Sequence, residues 1–133
     1  MKRSDEHARG LLEKARGDAY MLGRGATDPK APAWALGFHA QQAVEKAVKA
    51  VLTAHGKEYP RTHNRSVLLD LLRDAGAPLP PDAAELPRLT PFGAALRYDE
   101  QPEADLAQAL DRTWASEVVA RTITWAESVV GGA

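Results

Sequence analysis

The stretch Phe38-His39-Ala40-Gln41-Gln42-Ala43-Val44-Glu45-Lys46-Ala47-Val48-Lys49-Ala50 carries the reading of the whole chain. At about 100° per residue, Ala40, Val44, Ala47, Val48 and Val51 fall on one side of a helix. His39, Gln42, Lys46 and Lys49 fall together on the other, aligned over roughly two and a half turns, with Glu45 beside them. The pattern predicts a helix from Trp34 to His55, stopped by Gly56 in a left-handed conformation. Its apolar side is a packing face and its polar side is expected to face away from it. That polar side has two readings. It is a solvated surface steadied by an i,i+4 Glu45–Lys49 ion pair worth about 0.3–0.5 kcal/mol, or it is a binding surface.

Outward from this segment the chain reads as further helices. Ala8, Leu11, Leu12, Ala15, Ala19 and Leu22 recur at three- and four-residue steps, so a first helix is expected, capped by Ser4 and ended by Gly23 and Gly25. Thr27-Asp28-Pro29-Lys30-Ala31-Pro32 is a turn-rich connector. Tyr59-Pro60-Arg61-Thr62 is extended or turned, and the Thr62 hydroxyl is expected to cap a short third helix through Val67, Leu68, Leu71 and Leu72, ending near Gly76. Prolines between Pro78 and Pro91 restrict that region to an irregular loop with one or two helical turns, followed by a turn or two from Phe92 to Tyr98. One long helix is expected from Glu103 to Val130, with Ala107, Leu110, Trp114, Val118, Trp125 and Val129 on one face and Gly131-Gly132 as terminator. No period-two run of β-branched or aromatic residues lies between turn signals. The fold class is therefore all-α: a single domain over residues 1–133, an antiparallel up-and-down bundle of four to five helices.

Composition supports this. The chain has 133 residues, enough for one core without staples. Alanine makes up about a fifth of it while aromatic residues are 6%, which favours closely packed helices over a twisted sheet. Lys+Arg number 17 against Asp+Glu 18, so a uniformly basic nucleic-acid-binding surface is excluded and any anion site must be local. Cysteine is absent, which excludes disulfides, thiolate metal sites and cysteine nucleophiles. No apolar run is long enough for a signal peptide or a membrane span, and a cytoplasmic protein is expected.

Three blocks in order, the Gln-Ala-x-Glu-Lys-x-x-Lys run at Gln42–Lys49, then Tyr59-Pro60-Arg61-Thr62-His63 before a leucine-rich helix, then Arg97-Tyr98, resemble the HEPN (higher eukaryotes and prokaryotes nucleotide-binding) domain. The resemblance spans nearly the whole chain. It implies an all-α bundle, commonly a homodimer, related to the helical domain beside the catalytic domain of nucleotidyltransferases such as the kanamycin-modifying type. It also implies a protein partner, because such chains are often encoded beside a minimal nucleotidyltransferase as halves of toxin–antitoxin-like pairs. Other members are metal-independent ribonucleases, which combine an arginine with a histidine about four to six residues later as phosphate clamp and acid–base group. This chain departs from that pattern. Arg3 precedes His7 by one residue too few, Lys57 rather than arginine precedes His63, and no histidine follows Arg97.

The resulting expectation is a non-catalytic module that binds a nucleotide or a nucleotidyltransferase partner through Gln42, Glu45, Lys46 and Lys49, with His63, Arg97 and Tyr98 nearby. Lys46 and Lys49 would neutralise phosphates, Gln42 would read a polar edge and Tyr98 would stack. The alternatives are a ribonuclease toxin using His63 with Arg61, Arg65 or Arg97, including contacts across a dimer axis, and a purely structural helical dimer. RNA remains among the ligands to consider. His63 is otherwise a loop-anchoring histidine, and Arg97-Tyr98 an ordinary packing pair. Arg121, between Trp114 and Trp125, is expected to stack on indole, in the core or at a subunit interface. His7, His39, His55 and His63 lack metal-ligand spacing, so no metal or other cofactor is expected.

Overall fold

A computed structural model describes the backbone of residues 2–59, 65–92 and 103–131, and the described residues form helices and their connectors, with no strand among them. Helix α1 spans Lys2–Ala26, α2 Ala33–Ala54, α3 Arg65–Asp74, α4 Glu103–Ala109 and α5 Arg112–Gly131, with a 3₁₀ helix at Leu86–Phe92. The all-α bundle expected from the pattern is present.

Helix α2 is the axis of the molecule. Most of its 22 residues are buried, and α1, α3, α4, α5 and the 3₁₀ helix all pack on it. Ala40, Ala43, Val44, Ala47, Val48, Val51 and Leu52 are at most 1% exposed, in one core with Leu22 of α1, Leu68 and Leu72 of α3 and Val118 and Val119 of α5. Each fully buried leucine or valine contributes about 1.5–3 kcal/mol relative to exposure. Alanines on α2 keep neighbouring helices close, and Gly37 goes further. A Cβ there would enter the Phe92 ring, so the missing side chain is what lets the 3₁₀ helix lie on α2.

The expected stops occur where glycine permits them. Gly56 has φ +71°, its N–H donates to Thr53 O at 2.9 Å, and Lys57 N–H donates to Leu52 O at 3.0 Å. Gly76 has φ +68° and closes α3 the same way onto Arg73 O and Leu72 O. The connector between α1 and α2 turns at Asp28, whose Oδ1 accepts Lys30 N–H at 2.9 Å. The Arg112 guanidinium at the start of α5 donates to Asp28 O and Ala31 O at 2.9 and 2.8 Å, tying that connector to the last helix.

Three expectations change. Helix α1 begins at Lys2 and runs through Gly23 and Gly25 to Ala26, so Ser4 lies inside it rather than capping it. The long last helix is two helices. Asp111 interrupts it, its Oδ1 accepting the Trp114 N–H at 2.9 Å as an N-cap for α5. The interruption also shifts the packing face. Ala107 is exposed, Trp114, Trp125 and Val129 are partly buried, and the buried face of α5 is Ala115, Val118, Val119, Thr122, Ile123 and Ala126. Thr62 and the turn expected beyond Phe92 lie outside the described residues.

Candidate functional site

The polar side of α2 is not turned to open solvent. His39, Gln42, Lys46 and Lys49 are all half-buried, because α1 lies along this side and inserts Asp18. Asp18 Oδ1 accepts from His39 Nδ1 at 2.9 Å, and Oδ2 accepts from Lys46 Nζ at 2.6 Å. A carboxylate only accepts, so the His39 proton sits on Nδ1 in this arrangement. The side chains are 12% exposed for Asp18, 28% for His39 and 26% for Lys46, so the three form a shielded bridge between helices.

One turn further along α2 lies a second polar chain. Gln42 Nε2 donates to Gln41 Oε1 at 2.8 Å, Gln41 Nε2 donates to Glu45 Oε1 at 2.8 Å, and Lys49 Nζ donates to Glu45 Oε2 at 3.1 Å. Gln41 is 0% and Glu45 3% exposed, so Glu45 is a core carboxylate rather than a group at the side of a solvated stripe. Burial of such a charge is tolerated because its oxygens are met by donors. The expected Glu45–Lys49 ion pair is present, and it is desolvated.

Lys49 leads out of this chain. Its ammonium lies 5.2 Å from the centre of the Tyr59 ring, and the Tyr59 hydroxyl is hydrogen-bonded to His7 Nε2 at 3.1 Å. His7, Thr53, Gly56, Lys57, Glu58 and Tyr59 line an open cavity of about 420 Å³ at this end of the bundle, about half polar and half apolar. Its imidazole, phenol and ammonium offer donors to an anion, and the Tyr59 ring offers a plane.

Of the residues expected at a nucleotide site, Gln42, Glu45, Lys46 and Lys49 are thus within two networks on α2, whereas His63, Arg97 and Tyr98 lie outside the described residues. Asp18, Gln41, His7 and Tyr59 join them without having been assigned a role from the pattern. Asp18 had a signal: it stands three residues after Ala15 and four before Leu22, a carboxylate on the edge of the apolar stripe of α1. Gln41 likewise stands three before Val44 and seven before Val48.

Arg121 does not take the expected place on an indole. Its guanidinium donates to both oxygens of Asp82, at 2.9 and 3.3 Å, and that bond raises its pKa above the ordinary arginine value. The cation over Trp114 is Arg88, 4.0 Å from the ring centre. No group of three or more metal-ligating side chains occurs among the described residues, and no described helix is long and apolar enough to cross a membrane.

No curated protein and no solved structure matches the chain. A protein-family model, that of the HEPN domain, matches residues 30–131, from the connector before α2 to the end of α5 and well over half of the chain. The chain belongs to the HEPN domain family.

Proposed function

We propose that this chain is a cytoplasmic, non-catalytic HEPN module that binds the phosphate end of a nucleotide at the Lys49–Tyr59–His7 end of the bundle. It works as a homodimer with a minimal nucleotidyltransferase as protein partner, in a toxin–antitoxin-like pair. The observation that carries the reading is the cavity itself. Lys46 and Lys49 are each held by a carboxylate, so the stripe on α2 acts as a scaffold, and the donors left open to a ligand are those around the cavity. Lys57 and His7 neutralise and hydrogen-bond phosphate, Lys49 sets the field from behind the Tyr59 ring, and Gln42, Glu45 and Lys46 keep α2 in register with α1. His63, Arg97 and Tyr98, outside the described residues, belong to the same proposal as further nucleotide-binding groups.

The residue types support binding without cleavage. Phosphodiester cleavage without metal needs an acid–base group and a planar cation in one small volume. The arginine-to-histidine spacing that would supply both is missing, and Lys57 before His63 lacks the two-pronged phosphate contact of arginine.

The test is calorimetric titration with ATP, GTP and their monophosphates against the wild type and the His7→Ala/Lys57→Ala variant, with RNA incubated in EDTA alongside. Saturable binding weakened at least about tenfold in the variant, with intact RNA, is expected. A wild type that binds none of the four removes the nucleotide reading, and RNA cleavage that is lost in His63→Ala replaces it with the ribonuclease.

A further inference from the structure

The side of α1 turned away from the core carries features that no other described residue uses. Tyr20 is 64% and Met21 51% exposed, two of the four large apolar side chains left open to solvent among the described residues. Glu6, Glu13, Lys14 and Arg24 share that side, are exposed, and have no ion-pair partner among the described residues. On the helical wheel these positions centre on Gly17, opposite Ala8, Ala15 and Leu22. Helix interiors disfavour glycine, yet Gly10 and Gly17 sit here with nothing within 4 Å of where a Cβ would stand, so the monomer's own packing does not require them.

We propose that this face binds the same face of a second copy of the chain, antiparallel, about a two-fold axis passing at Gly17. The pattern is self-complementary in that arrangement alone. Antiparallel pairing about Gly17 sets residues 20 and 21 of one copy against residues 13 and 14 of the other. Gly10, Glu13, Lys14 and Gly17 are spaced i, i+3, i+4 and i+7, the four corners of a hole on a helix surface, with two corners empty of side chain. Tyr20 and Met21 are the knobs that fill it. The same register sets Arg24 of one copy opposite Gly10 of the other, between the carboxylates of Glu6 and Glu13. A parallel pairing would instead bring each charge onto its own copy. Both halves of the two-fold make the same contacts, as an isologous interface requires. Residues 6–24 run about 27 Å along the axis, so the contact is a single helix pair whose association is followed as a function of concentration.

This inference rests on the homodimer part of the proposed function, which it deepens by assigning the face, and it is tested apart from nucleotide binding. The chain has no cysteine, so a single introduced thiol reports its own neighbourhood. Sedimentation from about 5 to 500 µM is expected to show a monomer–dimer equilibrium. Gly17→Cys is expected to form a disulfide-linked dimer under mild oxidation, since the two thiols meet on the axis. Gly23→Cys, equally exposed on the same helix but rotated away from the face, is expected to stay unlinked. Arg24→Glu is expected to weaken association at least about tenfold, and adding Glu13→Arg to restore it. A monomer throughout overturns the pairing, whatever nucleotide titration shows. A dimer in which Gly23→Cys links as readily as Gly17→Cys, or which Arg24→Glu leaves unchanged, overturns this face while leaving dimerisation to another one.

Discussion

Asp18 of α1 and Lys46 of α2 stand 2.6 Å apart, carboxylate to ammonium, and the second oxygen of the same carboxylate holds His39. One side chain of α1 thereby sets the register of the first helix against the central one. Substituting Asp18→Ala leaves a half-buried ammonium and an imidazole without their acceptor, so a loss of about 1–3 kcal/mol is expected in urea denaturation. The double variant with Lys46→Met should recover part of that loss. Additive effects of the two changes would show that the pair is not coupled.

Glu45 is the more deeply buried carboxylate, and both Gln41 and Lys49 donate to it. Glu45→Ala opens a cavity and strands both donors, with an expected cost of about 3–5 kcal/mol. Glu45→Gln keeps the shape and one acceptor and should cost less. Thermal melts of the two variants check the order, and equal losses would show that the charge facing Lys49, and not the filled volume or the Gln41 bond, carries the stabilisation.

Gly37 and Gly23 are both helical glycines, and alanine should act on them with opposite sign. A Cβ at Gly23 meets nothing, so Gly23→Ala stabilises by about 0.5–1 kcal/mol through helix propensity. A Cβ at Gly37 enters the Phe92 ring, so Gly37→Ala destabilises by about 1–3 kcal/mol and displaces the 3₁₀ helix. Combining Gly37→Ala with Phe92→Leu should relieve part of the penalty. Chemical denaturation of the three variants provides the check.

Asp111 caps α5 through the Trp114 N–H. Asp111→Ala should cost about 0.5–2 kcal/mol, and Asp111→Asn much less. Amide hydrogen exchange localises the effect, because the Trp114 amide should lose protection while those in the middle of α2 do not.

How far the fold was legible follows from where each signal resides. The helical period of α2, the glycine stops at Gly56 and Gly76 and the lack of strands are local properties of consecutive residues, and they hold among the described residues. The break at Asp111 was also written locally, as an aspartate three residues before Trp114, but the apolar positions on either side ran nearly in phase and masked it. Arg121 was misplaced for a different reason: Asp82, which captures it, is distant in sequence and lies in a proline-rich stretch without a period.

The polar residues of α2 show the limit most plainly. Residue spacing was enough to place His39, Gln42, Lys46 and Lys49 on one line, because a helix has a fixed pitch. The inference that this line faces solvent assumed that α2 has one packed side, whereas α2 is the central helix and is covered on several sides. Which carboxylate meets Lys46, and that Glu45 and Gln41 lie in the core, depends on how α1 is laid across α2. A helical period specifies faces, and only the packing of separate helices decides what each face meets.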